Sequence, residues 1–158
     1  MFVLGHVGIG TRLVQRLRLP FAGLCVGCLL PDLIDKPLFY LVGPERVALI
    51  EGTRTFGHTG LFLLVVLAAS LRWPALRAVA IGMATHLLLD LGGDAVSFPP
   101  FEHSTLLAVF FPLFGVRFPQ APFSTLSQQL SLNAHSSYVL LGEIVGAGLL
   151  LRRFRHSS

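Results

Sequence analysis

Apolar residues fall in blocks along the chain, and Gly and Pro mark the joints between them. Residues 2–17 predict a helix with one apolar face and three arginines toward its end, followed by a turn at Leu19-Pro20. Residues 21–30 are apolar as far as Pro31, and residues 32–42 predict a short helix or irregular piece closed by Gly43-Pro44. Residues 46–54 form a polar connection. Residues 57–71 predict a strongly apolar helix that breaks at Trp73-Pro74, and residues 75–91 the next one, with Gly92-Gly93 as its stop. Residues 97–100 read as a loop. Residues 105–114 are apolar but short, closed by Pro112 and Gly115, and residues 117–133 are a connection containing Pro, Ser and Gln. Residues 136–151 predict the last helix, followed by a basic tail over residues 152–156. Strand signals are weak throughout. The expected fold class is all-α, in a single domain over residues 1–158.

Composition moves this bundle toward a membrane. Of 158 residues, 53% are hydrophobic and only 13% charged, about half the charge that a water-facing domain carries. The mean hydropathy is +0.73. No block is a clean span of about 20 apolar residues, so the expectation of a membrane-embedded bundle of helical hairpins rests on the blocks together. The net charge is +4, but the arginines are not interleaved with aromatics as in a nucleic-acid binder, and no nucleic-acid partner is expected. They gather as Arg12, Arg16 and Arg18, as Arg72 and Arg77, and as Arg152, Arg153 and Arg155, each group at the edge of an apolar block. That pattern marks the cytoplasmic face of a membrane protein. The N-terminal stretch is a poor signal peptide, because its basic region is long and His6 lies inside it, and it is read as mature protein. Cys25 and Cys28 read C-x-x-C without a second pair or a thioredoxin-like context, and are expected to be packing residues.

Six residues carry the candidate chemistry: His6, Asp32, Asp35, His58, His86 and Asp90. Imidazoles and carboxylates are ligands for zinc or manganese, and carboxylates inside apolar helices are costly without a role. Asp32 and Asp35 lie one turn apart. His86, Asp90 and Asp94 follow each other at intervals of four and line one helix face. If the first two helices form a hairpin at Leu19-Pro20 and the next two at Trp73-Pro74, both hairpins bring their ligands to the open end and their arginines to the turn end. The positive-inside rule then directs the site toward the extracytoplasmic side. Singly, each residue has a plainer reading, His6 or His58 as a hydrogen-bonded packing residue and Pro31-Asp32 as a helix stop. Convergence of all six is harder to assign to packing. His103 at a helix start, His135 before the last helix and His156 in a solvated tail are weaker candidates. Glu143 is a carboxylate that supports the metal ligands from behind, a proton carrier or an interhelical hydrogen-bond acceptor. Arg54 is placed either to clamp a phosphate oxygen or to pair with Asp35.

These blocks resemble a known pattern. The run from Gly27 through Pro31-Asp32 to Asp35, the run from Arg54 through His58-Thr59, and the run from Gly82 through His86 to Asp90 are similar, in that order, to three blocks of the YdjM-type membrane-bound metal-dependent hydrolases. His6 takes the place of that family's early histidine. The resemblance covers roughly the first 95 residues. The family in turn resembles the all-helical zinc-dependent phospholipases C. What the resemblance implies is a zinc cluster that cleaves phosphodiesters, with His86 and Asp90 as ligands, Asp90 as candidate bridge, His58 and one of Asp32 or Asp35 completing one metal and His6 helping to hold another. Thr59 keeps the hydroxyl of the family's serine, Gly57 replaces a threonine, and Lys36 stands where a histidine often follows. The third-metal ligands have no counterpart, so two ions are expected. The expected activity is hydrolysis of a phosphoester, plausibly a lipid, with Asp35 or Asp94 accepting the proton. The alternatives are a small ion or proton transporter and a non-catalytic protein with a structural polar cluster.

Overall fold

The computed structural model describes residues 3–43 and 46–155. The expected helix start at residue 2, Pro44 of the Gly43-Pro44 break, and His156 lie outside them. The chain is all-helical, with no strand among the described residues. Its α-helices are α1 (Val3–Leu13), α2 (Phe21–Pro37), α3 (Gly60–Arg72), α4 (Leu76–Ser97), α5 (Thr105–Val109), α6 (Leu126–Ala134) and α7 (Ser137–Arg155). A π-helical turn, Leu38–Val42, extends α2, and single 3-10 turns follow α1 and precede α3 and α5.

Two pairs of helices touch most extensively, α2 with α4 and α1 with α7. Glycine makes each crossing close. A Cβ on Gly8 would lie 2.1 Å from the carbonyl oxygen of Gly146, and one on Gly27 would lie 2.1 Å from that of Val79. A Cβ on Gly10 would reach both Thr85 Oγ1 and Cys28 Sγ, so α1, α2 and α4 meet there. Small residues that let backbones touch are the usual device of helices packed without a hydrophobic drive between them. Along these contacts Gly23 meets Ala78, and Gly27 meets Gly82, so α2 and α4 run parallel. The α1–α7 pair is parallel too, since Leu4 and Gly8 both approach Gly146 while Thr11 and Arg12 share a groove with Leu149 and Arg153. The Arg153 guanidinium sits 4.1 Å over the ring of Phe21. The arginine-bearing ends of α1 and α7 and the starts of α2 and α4 thus lie at one end of the bundle, as the two-hairpin reading requires.

Four boundaries differ from the sequence reading. Pro31 lies inside α2; the lost N–H frees one carbonyl, but packing against α4 holds the helix through it. Gly92-Gly93 does not stop α4, which runs on to Ser97. Those glycines make room for Tyr138: a Cβ on either would lie about 3 Å from its ring or hydroxyl, and that hydroxyl donates to the Leu89 carbonyl at 2.5 Å. The expected connection over residues 117–133 contains α6, started by a capping box in which Thr125 and Gln128 satisfy each other's backbone N–H. The expected basic tail is the last turn of α7. Glu143 is an interhelical acceptor: its carboxylate takes the N–H groups of Leu4 (3.1 Å) and Gly5 (2.9 Å), two donors that the first turn of α1 leaves open.

The outer surface is strongly apolar. Along α3 the only buried residue is Ser70, whereas Leu61, Leu64, Val65 and Leu71 are more than half exposed. On α7, Leu141, Ile144 and Leu151 point outward. Among the described residues one helix, α4, is by length and composition able to cross a membrane; α6 and α7 pass that test only as a pair, bent by 83°, and α3 is shorter.

Candidate metal centre

A cluster of ionisable side chains is buried in the bundle among apolar residues such as Leu24, Met83 and Leu87. His6, His58 and His86 are buried to 1% exposure or less, and Asp35 and Asp90 are buried with them. Each comes from a different place: His6 from α1, Asp32 and Asp35 from α2, His58 from the turn before α3, and His86 and Asp90 from successive turns of α4. The convergence expected from sequence is present for His6, Asp32, His58, His86 and Asp90.

His58 and His86 point their Nε2 atoms at each other, 3.1 Å apart. The Nδ1 of His86 faces the Cys28 carbonyl at 2.7 Å, which can only accept, so that nitrogen carries the proton. The Nδ1 of His58 faces an Asp35 oxygen at 2.7 Å and donates likewise. In the neutral rings both Nε2 atoms are then lone-pair donors aimed at a common point, and a cation or an added proton is required between them. Asp90 Oδ2 lies 3.5 Å from His58 Nε2 and 3.7 Å from His86 Nε2, while its Oδ1 lies 3.5 Å from His6 Nε2. Asp32 turns Oδ1 toward His58 Nε2 at 3.8 Å. The His6 ring stacks on His86 with centroids 3.8 Å apart, and its Nδ1 is buried with no hydrogen-bond partner among the described residues. The donor atoms fall into two compact groups, His58–His86–Asp90 and His6–Asp32–His86, each spanning no more than 4.8 Å. His86 has only Nε2 to offer, so it serves one group at a time. Asp90, with an oxygen toward each side, is the residue able to join them.

Asp35 stands apart from this ring of donors. It belongs to neither group, and its two oxygens accept from the backbone N–H groups of Thr55 (2.7 Å), Gly57 (2.8 Å) and His58 (3.1 Å) besides the His58 ring. Oδ2 takes three of these donors and Oδ1 one, and the side chain has no exposure, so Asp35 is engaged with the 55–58 turn and lies outside the two donor groups in which the sequence reading places it. It holds the 55–58 turn against α2. Gly57 belongs to the same fit, because a Cβ there would lie 2.7 Å from the Pro31 carbonyl. Thr59 caps α3, its hydroxyl accepting from Phe62 N at 3.0 Å.

Arg54 pairs with Asp90 (3.4 Å) and Asp94 (3.5 Å), not with Asp35. Asp94 also accepts from Ser104 Oγ (3.2 Å) and Thr105 N (2.5 Å), fixing the start of α5. Lys36 pairs with Asp32 Oδ2 at 2.5 Å, a contact legible as an i, i+4 pair but not drawn from the sequence. Asp32, Lys36, Arg54, Asp90 and Asp94 line a cleft of about 230 Å³, to which Gln129 and Asn133 of α6 also contribute. Gln129 is fixed by the Tyr40 hydroxyl, which donates to its Oε1 at 2.6 Å. Of the weaker histidines, His103 lines the cleft and bonds the Gln120 carbonyl, and His135 bonds the Ser131 carbonyl at the end of α6. Cys28 is buried beside Thr85, as a packing residue.

Comparison of the chain with known protein families, with curated proteins and with solved structures finds no match.

Proposed function

We propose that this chain is a membrane-embedded, metal-dependent phosphoester hydrolase, related to the YdjM-type hydrolases and through them to the zinc-dependent phospholipases C. The observation that carries the reading is the pair of Nε2 atoms 3.1 Å apart, each backed on Nδ1 by an acceptor. Backing a ligating imidazole with a carboxylate or carbonyl fixes its tautomer and raises its basicity, and a divalent ion between the two Nε2 atoms satisfies both lone pairs with both rings neutral. The donor set of nitrogen and oxygen fits zinc or manganese. His58, His86 and Asp90 Oδ2 would hold one ion, and His6, Asp32 and Asp90 Oδ1 a second. Bound divalent ions supply Lewis acidity at a phosphoryl oxygen and lower the pKa of water.

The chain's own groups divide the remaining work. Arg54 presents a guanidinium to the cleft beside Asp90, where a phosphate oxygen would be held. Asp94 lines the cleft, where Asp35 does not, and would be the proton acceptor if its bonds to Arg54, Ser104 and Thr105 give way. Lys36 offsets the charge of Asp32. The apolar outer faces of α3 and α7 support burial in lipid, and the clustering of arginines at one end supports an orientation with that end in the cytoplasm. Asp32 lies eleven residues from the start of α2, about 16 Å along the helix axis, which supports a cleft directed away from the arginine-rich end. The substrate is then a phosphoester presented from that side, plausibly a lipid headgroup.

Protein purified in detergent is expected to carry zinc or manganese by elemental analysis and to turn over a synthetic phosphodiester, with activity lost on chelation and restored by the metal. A metal-free preparation that turns over no phosphoester but moves ions across vesicle membranes would replace this reading with transport. Asp35→Asn should weaken metal binding by about 10–100-fold without removing a ligand, the usual cost of losing an outer-shell carboxylate. Competition with a chromogenic chelator measures it, and an unchanged affinity would deny Asp35 its orienting role.

A further inference from the structure

The cleft beside the metal centre receives two amides from α6, Gln129 and Asn133, which follow each other by one helical turn and share a face. Gln129 is 8% exposed, and no other residue of α6 is buried. The Tyr40 hydroxyl, on the π-helical turn that extends α2, lies 2.6 Å from its Oε1. That separation suits O–H···O and is short for N–H···O, so the tyrosine meets the oxygen and the –NH2 end is turned away from it. Among the described residues no hydrogen bond uses Gln129 Nε2 or the side chain of Asn133. A buried donor left without a partner is costly, and a ligand in the cleft is what can satisfy it.

We propose that α6 builds a headgroup subsite in this cleft, selecting phosphoesters of an alcohol that carries further free hydroxyls, such as glycerol or a sugar. The subsite rests on the phosphoester reading given above and names the group that the phosphate carries. A hydroxyl both donates and accepts, and a pair of amides answers both. The charged residues of the lining are matched with one another, Lys36 with Asp32 and Arg54 with Asp90 and Asp94. What a headgroup meets beyond them is uncharged, Thr53 and Ser97 besides the two amides. A quaternary ammonium headgroup is held by aromatic faces, and among the described residues Phe123 is the one Phe, Tyr or Trp of the lining. An alcohol without further hydroxyls would leave the Gln129 amide unpaired, and a site built to hydrogen-bond a hydroxyl rejects the analogue that lacks it.

The test compares dioleoylphosphatidylglycerol with dioleoylphosphatidylmethanol, which has the same charge and acyl chains but no headgroup hydroxyl. Full-length protein in dodecyl maltoside micelles is titrated with each lipid. Retained lipid is counted by native mass spectrometry at the first time points, and hydrolysis product in the same samples. The glycerol lipid should bind about tenfold more tightly, the worth of one or two hydrogen bonds to a buried amide. Gln129→Leu should bring that ratio close to one. Tyr40→Phe, which frees the amide to turn, and Asn133→Ala should each reduce the ratio severalfold, and they decide the matter if Gln129→Leu is not recovered folded. A purely structural role for Gln129 would weaken both lipids together and keep the ratio, a result that would overturn the proposal. So would equal binding of the two lipids by the wild type, retention of neither, or a preference for dioleoylphosphatidylcholine. Displacement of the lipid by equimolar glycerol phosphate would assign the subsite to a free polyol phosphate, and failure to displace it would assign the subsite to the lipid. Selective binding without turnover in zinc or manganese would remove hydrolysis and keep the subsite, whereas turnover without headgroup selection would do the reverse.

Discussion

His86→Ala is expected to empty the centre of its divalent metal and to lower phosphoester turnover by at least about 1000-fold, the loss that follows when several kcal/mol of Lewis-acid stabilisation are withdrawn. His86 is the sharpest probe because it sits where both donor groups overlap. Its removal also frees the Cys28 carbonyl, at a cost of about 1–3 kcal/mol for a buried acceptor, so loss of stability alone does not separate a metal site from a structural cluster. Chelation does. A bound metal stabilises the folded chain by mass action, so EDTA should lower the thermal midpoint of the wild type and leave that of His86→Ala unmoved. Metal content by elemental analysis and the paired melting curves check both halves. A wild type indifferent to EDTA, together with a His86→Leu, Asp90→Leu variant as stable as its parent, would assign the cluster to helix packing.

The second large effect belongs to the α2–α4 crossing. Gly27→Ala is expected to destabilise the protein by about 2 kcal/mol or more. The added Cβ would lie 2.1 Å from the Val79 carbonyl and 2.9 Å from the Gly82 Cα. Both are backbone atoms, so no side chain can swing aside and the helices have to separate. Overpacking of that kind costs about 1–3 kcal/mol and sometimes more, and separation adds lost contacts along the crossing. Against this, Ala in a helix gains about 1 kcal/mol over Gly, and the steric cost wins. Gly148→Ala is the matched control: nothing lies within 4 Å of its added Cβ, so only the propensity gain remains and stability should rise slightly. Equilibrium unfolding of both variants in mixed micelles measures the difference. Because Cys28 and the 82–86 turn follow directly from this contact, Gly27→Ala should lower metal affinity as well.

Much of this architecture could be read from the residues, and the failures have identifiable causes. Leu19-Pro20 and Trp73-Pro74 gave the right turns because proline ends a helix wherever nothing compensates. Pro31 was misleading because contacts made by Gly27 and Cys28 on α4 do compensate. Gly92-Gly93 has the composition of a helix stop, but its function is room for the Tyr138 ring, a partner 45 or more residues away that local pattern does not reveal. The Thr125–Gln128 box was visible as a motif and was hidden by its Pro-rich surroundings. Spacing alone placed His86 and Asp90 together. It could not choose between Asp32 and Asp35: three residues apart on one helix, they point about 60° from each other, and only the position of the 55–58 turn decides that one faces the imidazoles and the other the backbone.

The Glu143 tether on Leu4 and Gly5 bears on assembly of the site. The helix that carries His6 is anchored by α7, more than 130 residues later in the chain. Besides this tether, α1 packs on α2 and α4 through Gly10, which lies against Cys28 and Thr85. Placement of His6 against Asp90 therefore depends on docking of α7, and a cation that needed the full donor set would be taken up only once that helix is in place.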